Sequence, residues 1–514
     1  MKVLFLTIGG FSGINDHGIY PDLLREFARH GHEVYVVCSE EKRSGRQTWL
    51  ASEEVDPADN SGRRSFGRDD GEQKPSHRIP PAHILHVRIG NITKTNLIEK
   101  GISTVMIGRQ YEAAIDRYFG RDKSCGCHHK ISKGCGKHHN GDRFAGFDLI
   151  MYSTPPITLA GVVEHLKKRY HARTYLLLKD IFPQNAVDIG MMSKTGLKAP
   201  LYRHFRKQEK KLYAVSDRIG CMSPANVRYV LEQNPEVLQR RLAAGGSSPE
   251  RMIDTSGQSG GSNAGKSVER QHGIVEVCPN SIEPQDMSLP DEERMQLRRV
   301  YDIPEDKTVF IYGGNLGKPQ GIDFMLRCLH AQRKNKDAFF LIVGSGTEYE
   351  RIQRYIEKYK PDNIILKESL PKEDYDRIVA ACDVGMIFLD HRFTIPNFPS
   401  RLLSYMQAKV PVLAVTDPNT DVGEVITGRA SGIDMESSEP GTISEEEKSV
   451  TSDHPPFGWW TESNDVRITS SLIKKISRMD KQELSAMGEH GYEYMLACYD
   501  VRDAYETIVK ETKG

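Results

Sequence analysis

The feature that most constrains this chain is a recurring order of apolar run, glycine turn and helical segment. Buried strands joined by crossover helices fold into parallel sheets covered on both faces. The first forty residues show the unit once, as KVLFLTI, GGFSG, YPDLLREFARHGH and EVYVVCS, with Gly31 placed to close the helix before the next strand. Similar units recur around FDLIMYS (147–153), TYLLLKD (174–180) and RIGCMS (218–223). A second series begins at TVFIYGG (308–314) and runs through AFFLIVGSG, NIILKES, VGMIFLD and VPVLAVT. This α/β alternation predicts two doubly wound, Rossmann-like lobes, 1–285 and 286–480, with 481–514 a helix returning to the first lobe.

Four stretches break the rhythm, near 43–79, 121–143, 240–272 and 436–456, and read as insertions. The third is rich in Gly and Ser with few apolar residues, a composition that buries too little surface to offset ordering entropy. Lys plus Arg and Asp plus Glu both number 70, so no global field draws the chain to nucleic acid. The apolar run at the amino terminus is too short for a signal peptide, and no stretch approaches a bilayer span. With nine scattered cysteines, this points to a reducing, cytoplasmic setting in which thiols or a metal are favoured over disulfides.

Several strand ends carry residues suited to phosphate. Gly9, Gly10 and Gly13 follow the first strand, where a helix amino end gathers backbone N–H groups, though they make no G-x-G-x-x-G pattern. In IYGGNLGKPQGIDFMLRCL, the glycines Gly314 and Gly317 let backbone approach a ligand, Asn315 offers a neutral donor, and Lys318 is the cation for a departing diphosphate. The next strand ends in VGSG, which brings Gly344 and Gly346 to the same crevice, because ligands of open parallel sheets sit outside the carboxyl ends of strands. A further strand end, Lys367 to Leu370, is placed to read a nucleobase, with Lys367 and Glu368 assigned to donor binding.

The segment IPNFPSRLLSYMQAKVPVLAVTD (395–417) resembles the donor-site motif of retaining family-four glycosyltransferases, with its P-S-[KR]-[LF]-[LF] loop opening a helix and a P-V-[VL]-A strand. GGNLGKPQG, VGSG and LPKEDYDRIVAACDVGM extend the resemblance over the second lobe. DIFPQNAVDIGMM (180–192) and GNITKTNLIEKG (90–101) are similar to the first lobe of capsule and surface-polysaccharide transferases. The resemblance implies the GT-B fold, a nucleotide diphosphate sugar (a UDP-sugar) in the second lobe, and transfer with retention to a lipid-linked saccharide held by the first. It implies no metal or other cofactor for chemistry. It also places Ser400, Arg401 and Leu402 at a helix amino end facing the diphosphate, with Ser404 in the donor set. The family's two glutamates eight positions apart are Pro396 and Ser404 here, which puts the ribose and sugar contacts in doubt. Alternatives on the same fold are a sugar-nucleotide epimerase or phosphorylase, and a non-catalytic sugar-nucleotide-binding assembly partner.

In the first lobe Asp180 follows the strand TYLLL, where a carboxylate can accept a proton from an acceptor hydroxyl or cap a helix. His17 is a further loop candidate. Within CGCHHKISKGCGKHH, Cys125, Cys127, Cys135 and His138 are candidate ligands of a non-catalytic zinc, although the spacing is not that of a standard finger. Residues 197–213, LKAPLYRHFRKQEKKLY, set Leu197, Leu201, Phe205 and Leu212 near one face amid Arg203, Arg206, Lys207, Lys210 and Lys211. That pattern suits either an interfacial helix on anionic lipid or a helix packed on the sheet with solvated lysines outside.

Overall fold

A computed structural model describes residues 1–57, 78–92, 97–119, 146–243, 274–428 and 454–510. The first lobe is an eight-stranded sheet of β1 (Lys2–Leu6), β2 (Glu33–Glu41), β3 (Trp49–Glu53), β4 (Ala82–Ile89), β5 (Leu149–Ser153), β6 (Arg173–Leu178), β7 (Arg218–Cys221) and β8 (Val275–Val277). Its order is β3-β4-β2-β1-β5-β6-β7-β8. The second is a six-stranded sheet of β9 (Thr308–Asn315), β10 (Ala338–Ser345), β11 (Ile364–Lys367), β12 (Val384–Phe388), β13 (Val412–Thr416) and β14 (Gly458–Glu462), ordered β11-β10-β9-β12-β13-β14. Counted from its first strand this is the 3-2-1-4-5-6 winding, which reverses between β9 and β12 and leaves a crevice at their carboxyl ends. In the first lobe the reversal falls between β1 and β5.

Strands and helices follow from pattern. β5 and β13 are buried along their whole length, as parallel strands covered on both faces must be. The helix Ile19–Arg29 buries Leu23, Leu24 and Phe27 against β1 and β2. Part of the 43–79 stretch is not an insertion, since β3 pairs antiparallel with β4 and Trp49 stacks on His86 with ring centroids 4.0 Å apart. Residues 240–243 belong to the helix Pro235–Ala243. The remainder of 240–272, all of 121–143 and most of 436–456 lie outside the described residues. β14 is an aromatic strand, GWWTE, that the sequence pattern did not single out.

The expected single terminal helix is two, Lys481–Cys498 and Val501–Val509. The break lets the chain pair with the interlobe connection: Ile282 N donates to Tyr499 O and Val501 N to Ile282 O, at 3.0 and 2.9 Å. Asp500 then caps the second helix by accepting from Arg502 N. That helix lies on the first lobe, where Tyr505 stacks on His30 at 4.1 Å and meets Phe27 edge-on at 4.9 Å. The lobes also share apolar core, because Leu389, Phe393 and Ile395 of the second pack among residues of the first. Among the described residues no helix is long and apolar enough to cross a membrane.

Candidate active site

The register of the second sheet sets Gly314 beside Gly344 and Asn315 beside Ser345, so two glycine turns leave the crevice side by side. Their glycines serve this close approach. A Cβ on Gly344 would lie 2.0 Å from Gly314 O, and Gly314 itself has φ +112°, a conformation that favours glycine. Above the turns is a cleft of about 550 Å³ between the lobes, lined by Gly314, Asn315, Gly344, Ser400, Arg401 and Ser404 from the second lobe and His17, Gly18 and Ile19 from the first.

Ser400, Ser404 and Gln407 reach the cleft because residues four and three apart share a helix face, while Leu402, Tyr405 and Met406 of the same short helix, Arg401–Gln407, are buried. Arg401 is the cleft's notable charge. Its Cζ lies 4.4 Å over the Tyr312 ring, and its Nη1 is buried without a hydrogen-bond partner. A Cβ on Gly314 would reach within 3.7 Å of its Nη2. Burial opposes the charge most strongly, but the hydroxyls of Tyr312 and Tyr405 act the other way and the pKa stands above the ordinary arginine value. Lys372 is the other lysine or arginine lining the cleft, and it pairs with Asp376. Among the described residues no carboxylate lines the cleft. The arrangement suits an anionic ligand that brings its own negative charge.

His17 bridges the lobes. Its Nδ1 sits 3.0 Å from an Asp22 carboxylate oxygen and its Nε2 is 2.9 Å from Gln407 Oε1. Asp22 is itself fully buried. Burial pushes its pKa up, yet the partners His17 and Arg25 and the Glu283 N–H outweigh it and hold the carboxyl below the usual range.

The other candidates fall as follows. Gly9, Gly10 and Gly13 do not line the cleft; the first loop reaches it at its far end, through His17 to Ile19. Gly317 opens a short turn and donates its N–H to Gln320, and Lys318 in that turn is exposed and outside the cleft lining. Gly346 is held by closeness to Leu316, whose O would lie 2.3 Å from a Cβ there. Lys367 turns its ammonium toward the Tyr301 ring, 5.5 Å away, and Glu368 is exposed, while Ser369 and Leu370 after them line the cleft. The Leu402 N–H donates to Pro399 O, and its side chain is core. Asp180 caps no helix. Its carboxylate takes two bonds from Asn185 Nδ2, at 2.8 and 3.0 Å, and burial raises its pKa to about 6 against that amide. Tyr375 and Gln407 were missed; the spacing 400, 404, 407 carried the signal for Gln407, whereas Tyr375 is set only by packing over Gly313.

Among the described residues no group of three or more His, Cys, Asp or Glu is placed to hold a metal ion. Cys125, Cys127, Cys135 and His138 lie outside those residues. In 197–213, Leu212 and Tyr213 are buried and Arg206, Lys210 and Lys211 are paired with Glu209, Glu236 and Glu164. The front of the segment differs, with Leu197 fully exposed in the turn before the helix Ala199–Val215 and Leu201 half exposed in its first turn.

Residues 293–455 match the family of glycosyl transferases group 1. The probable glycosyltransferase WbjE of Pseudomonas aeruginosa is 22% identical over 343 residues, 66% of this chain and 68% of that one. The putative colanic acid biosynthesis glycosyl transferase WcaI of Escherichia coli K12 is 24% identical over 140 residues, 27% of this chain and 33% of its own length. The crystal structure of Anabaena HepE in complex with UDP and glucose superposes with a TM-score of 0.54 at 13% identity, covering 99% of this chain and 98% of that one, which shows the two-lobed GT-B fold.

Proposed function

We propose that this chain is a retaining group 1 glycosyl transferase that moves the sugar of a UDP-sugar to a lipid-linked saccharide in surface or capsular polysaccharide assembly, on the cytoplasmic face of a membrane. The observation that carries the reading is Arg401, a half-buried cation with its Nη1 buried and without an ion-pair partner among the described residues, at a glycine-lined crevice where no described carboxylate stands. As the bond from the anomeric carbon to the phosphate oxygen breaks, its electron pair passes to the diphosphate. Arg401 meets the charge that develops there. Because the guanidinium is already stacked on Tyr312, it reorganises little at that moment.

Ser369, Leu370 and Tyr375 of the cleft lining then face the base, and Ser404, Gln407 and His17 the sugar. HepE was solved with UDP and glucose, which supports a UDP-sugar here. The name of WcaI, a putative colanic acid biosynthesis glycosyl transferase, supports polysaccharide assembly. The exposed Leu197 and Leu201, with Lys198, Arg203 and Lys207 near them, support contact with an anionic membrane surface. Asp180 stands at the end of β6 as the first lobe's candidate for the acceptor hydroxyl.

The test is steady-state kinetics with donor-binding calorimetry. Arg401→Ala should lower kcat by roughly 100- to 1,000-fold, the usual effect of removing one preorganised electrostatic group, with a smaller change in donor affinity. Arg401→Lys should recover part of it. Lys318→Ala, on the exposed turn, should change kcat less than Arg401→Ala. An Arg401→Ala variant with wild-type kcat would remove the basis of this assignment.

A further inference from the structure

A second hollow, of about 370 Å³, lies where the lobes meet and shares no lining residue with the donor cleft. The first lobe contributes Gln184, Lys194, Arg228, Tyr229 and Glu232; the second contributes Thr394 and Asn419 among others. We propose that this hollow receives the phosphate or diphosphate group of the lipid-linked acceptor, a deepening that rests on the transferase reading above.

The hollow is built on fixed contacts. Asp188 accepts from Thr394 N and Thr394 Oγ1 at 2.8 and 3.0 Å, Asn226 Nδ2 donates to Pro396 O at 2.6 Å, and Ala225 N donates to Asp421 at 3.0 Å. These bonds cross between the lobes and hold the two walls in register. The volume falls within the roughly 300–1,000 Å³ of small-molecule sites.

Its cations are the ones without a fixed partner. Neither exposed Lys194 nor half-buried Arg228 has an ion-pair partner among the described residues; Glu232, also exposed, is the carboxylate in the lining, while Asp188 and Asp421 in the walls are taken up by bonds from Gln184, Thr394 and Ala225. The nearby cations Arg206, Lys210 and Lys211 are all neutralised by glutamates. A half-buried guanidinium and an ammonium lining one hollow suit a multiply charged oxyanion.

The surroundings select a phosphate with a lipid tail. The segment that places Lys194 continues directly into Leu197 and Leu201, and Met191 precedes it; all three apolar side chains stand in solvent. Lys194 lies 5.9 Å over the Tyr202 ring of the helix that carries Leu201. A headgroup in the hollow therefore has apolar surface waiting where its chain would leave.

Binding of farnesyl diphosphate, titrated calorimetrically while saturating UDP fills the donor cleft, tests this. One equivalent should bind. Lys194→Gln and Arg228→Gln should each weaken it on the order of tenfold, as loss of one charge-assisted contact does, and Glu232→Gln should strengthen it. Inorganic diphosphate should displace the probe and farnesol should not. Unchanged affinity in the Lys194→Gln, Arg228→Gln double variant, folded by circular dichroism, would overturn the site, as would absence of binding or displacement by farnesol alone. Failure of UDP itself to bind would strike the donor reading instead, and the probe is then scored without it.

Discussion

A Cβ at position 344 would meet the carbonyl oxygen of Gly314 at 2.0 Å, and backbone on both sides leaves nothing flexible to yield. Gly344→Ala should therefore cost about 1–3 kcal/mol of stability, read as a lower urea midpoint, and weaken donor binding by separating the two turns. Asp180 shows a different constraint. Its pKa is raised from 3.8 to about 6, chiefly by burial, so the folded state holds the proton more firmly than the unfolded chain between those values. Stability from this group is greatest at low pH and is lost as pH rises through that window. Asp180→Asn should remove this pH dependence, so its melting temperature relative to wild type should be higher at pH 7.5 than at pH 4. A constant difference across that range would show that the carboxyl is not strained by burial. The glycines were legible at this scale as strand-end residues; that Gly344 and Gly346 serve loop-on-loop packing was not, because their neighbours are far away in sequence.

The terminal helix Val501–Val509 is held by its aromatic contact, with Tyr505 against Phe27 and His30 and its hydroxyl 2.9 Å from His32 Nε2. Tyr505→Ala should destabilise the first lobe by roughly 1–3 kcal/mol, visible as an earlier thermal transition. Burial first, then the terminal ammonium and His30, lowers the pKa of His32 from 6.5 to about 4. The folded state binds fewer protons than the unfolded one between those values, so stability should fall as pH drops from about 6.5 toward 4. His32→Gln should flatten that slope, and an unaltered slope would assign it elsewhere. Alternation of strand and helix made most elements readable. β3 and β14 escaped because both border stretches of polar residues, and the break at Tyr499 escaped because it is set by pairing with Ile282 rather than by local propensity.

His17 and Gln407 are 390 positions apart and meet at 2.9 Å across the lobes. If that contact holds the cleft closed on its donor, His17→Ala and Gln407→Ala should each weaken donor binding. Their double-mutant cycle should then show coupling of roughly 0.5–3 kcal/mol, as for residues in contact; strict additivity would mean that the bond does not report on the closed cleft. The sequence alone determined the two doubly wound lobes, because apolar runs of strand length followed by glycine and a helical segment have few other ways to bury themselves. It also set the expectation of a ligand crevice at strand ends of the second lobe, since winding order dictates where parallel strands finish together. Which of its candidate cations lines that crevice was decided only by tertiary structure. Lys318 and Arg401 both follow glycine-rich or proline-rich turns, but Lys318 stays exposed on its turn while Arg401 is drawn over Tyr312 and has no ion-pair partner among the described residues. The joining of the lobes through Ile282, Phe393 and His17 was decided in the same way, because such contacts depend on how two finished surfaces fit and leave no period along the chain.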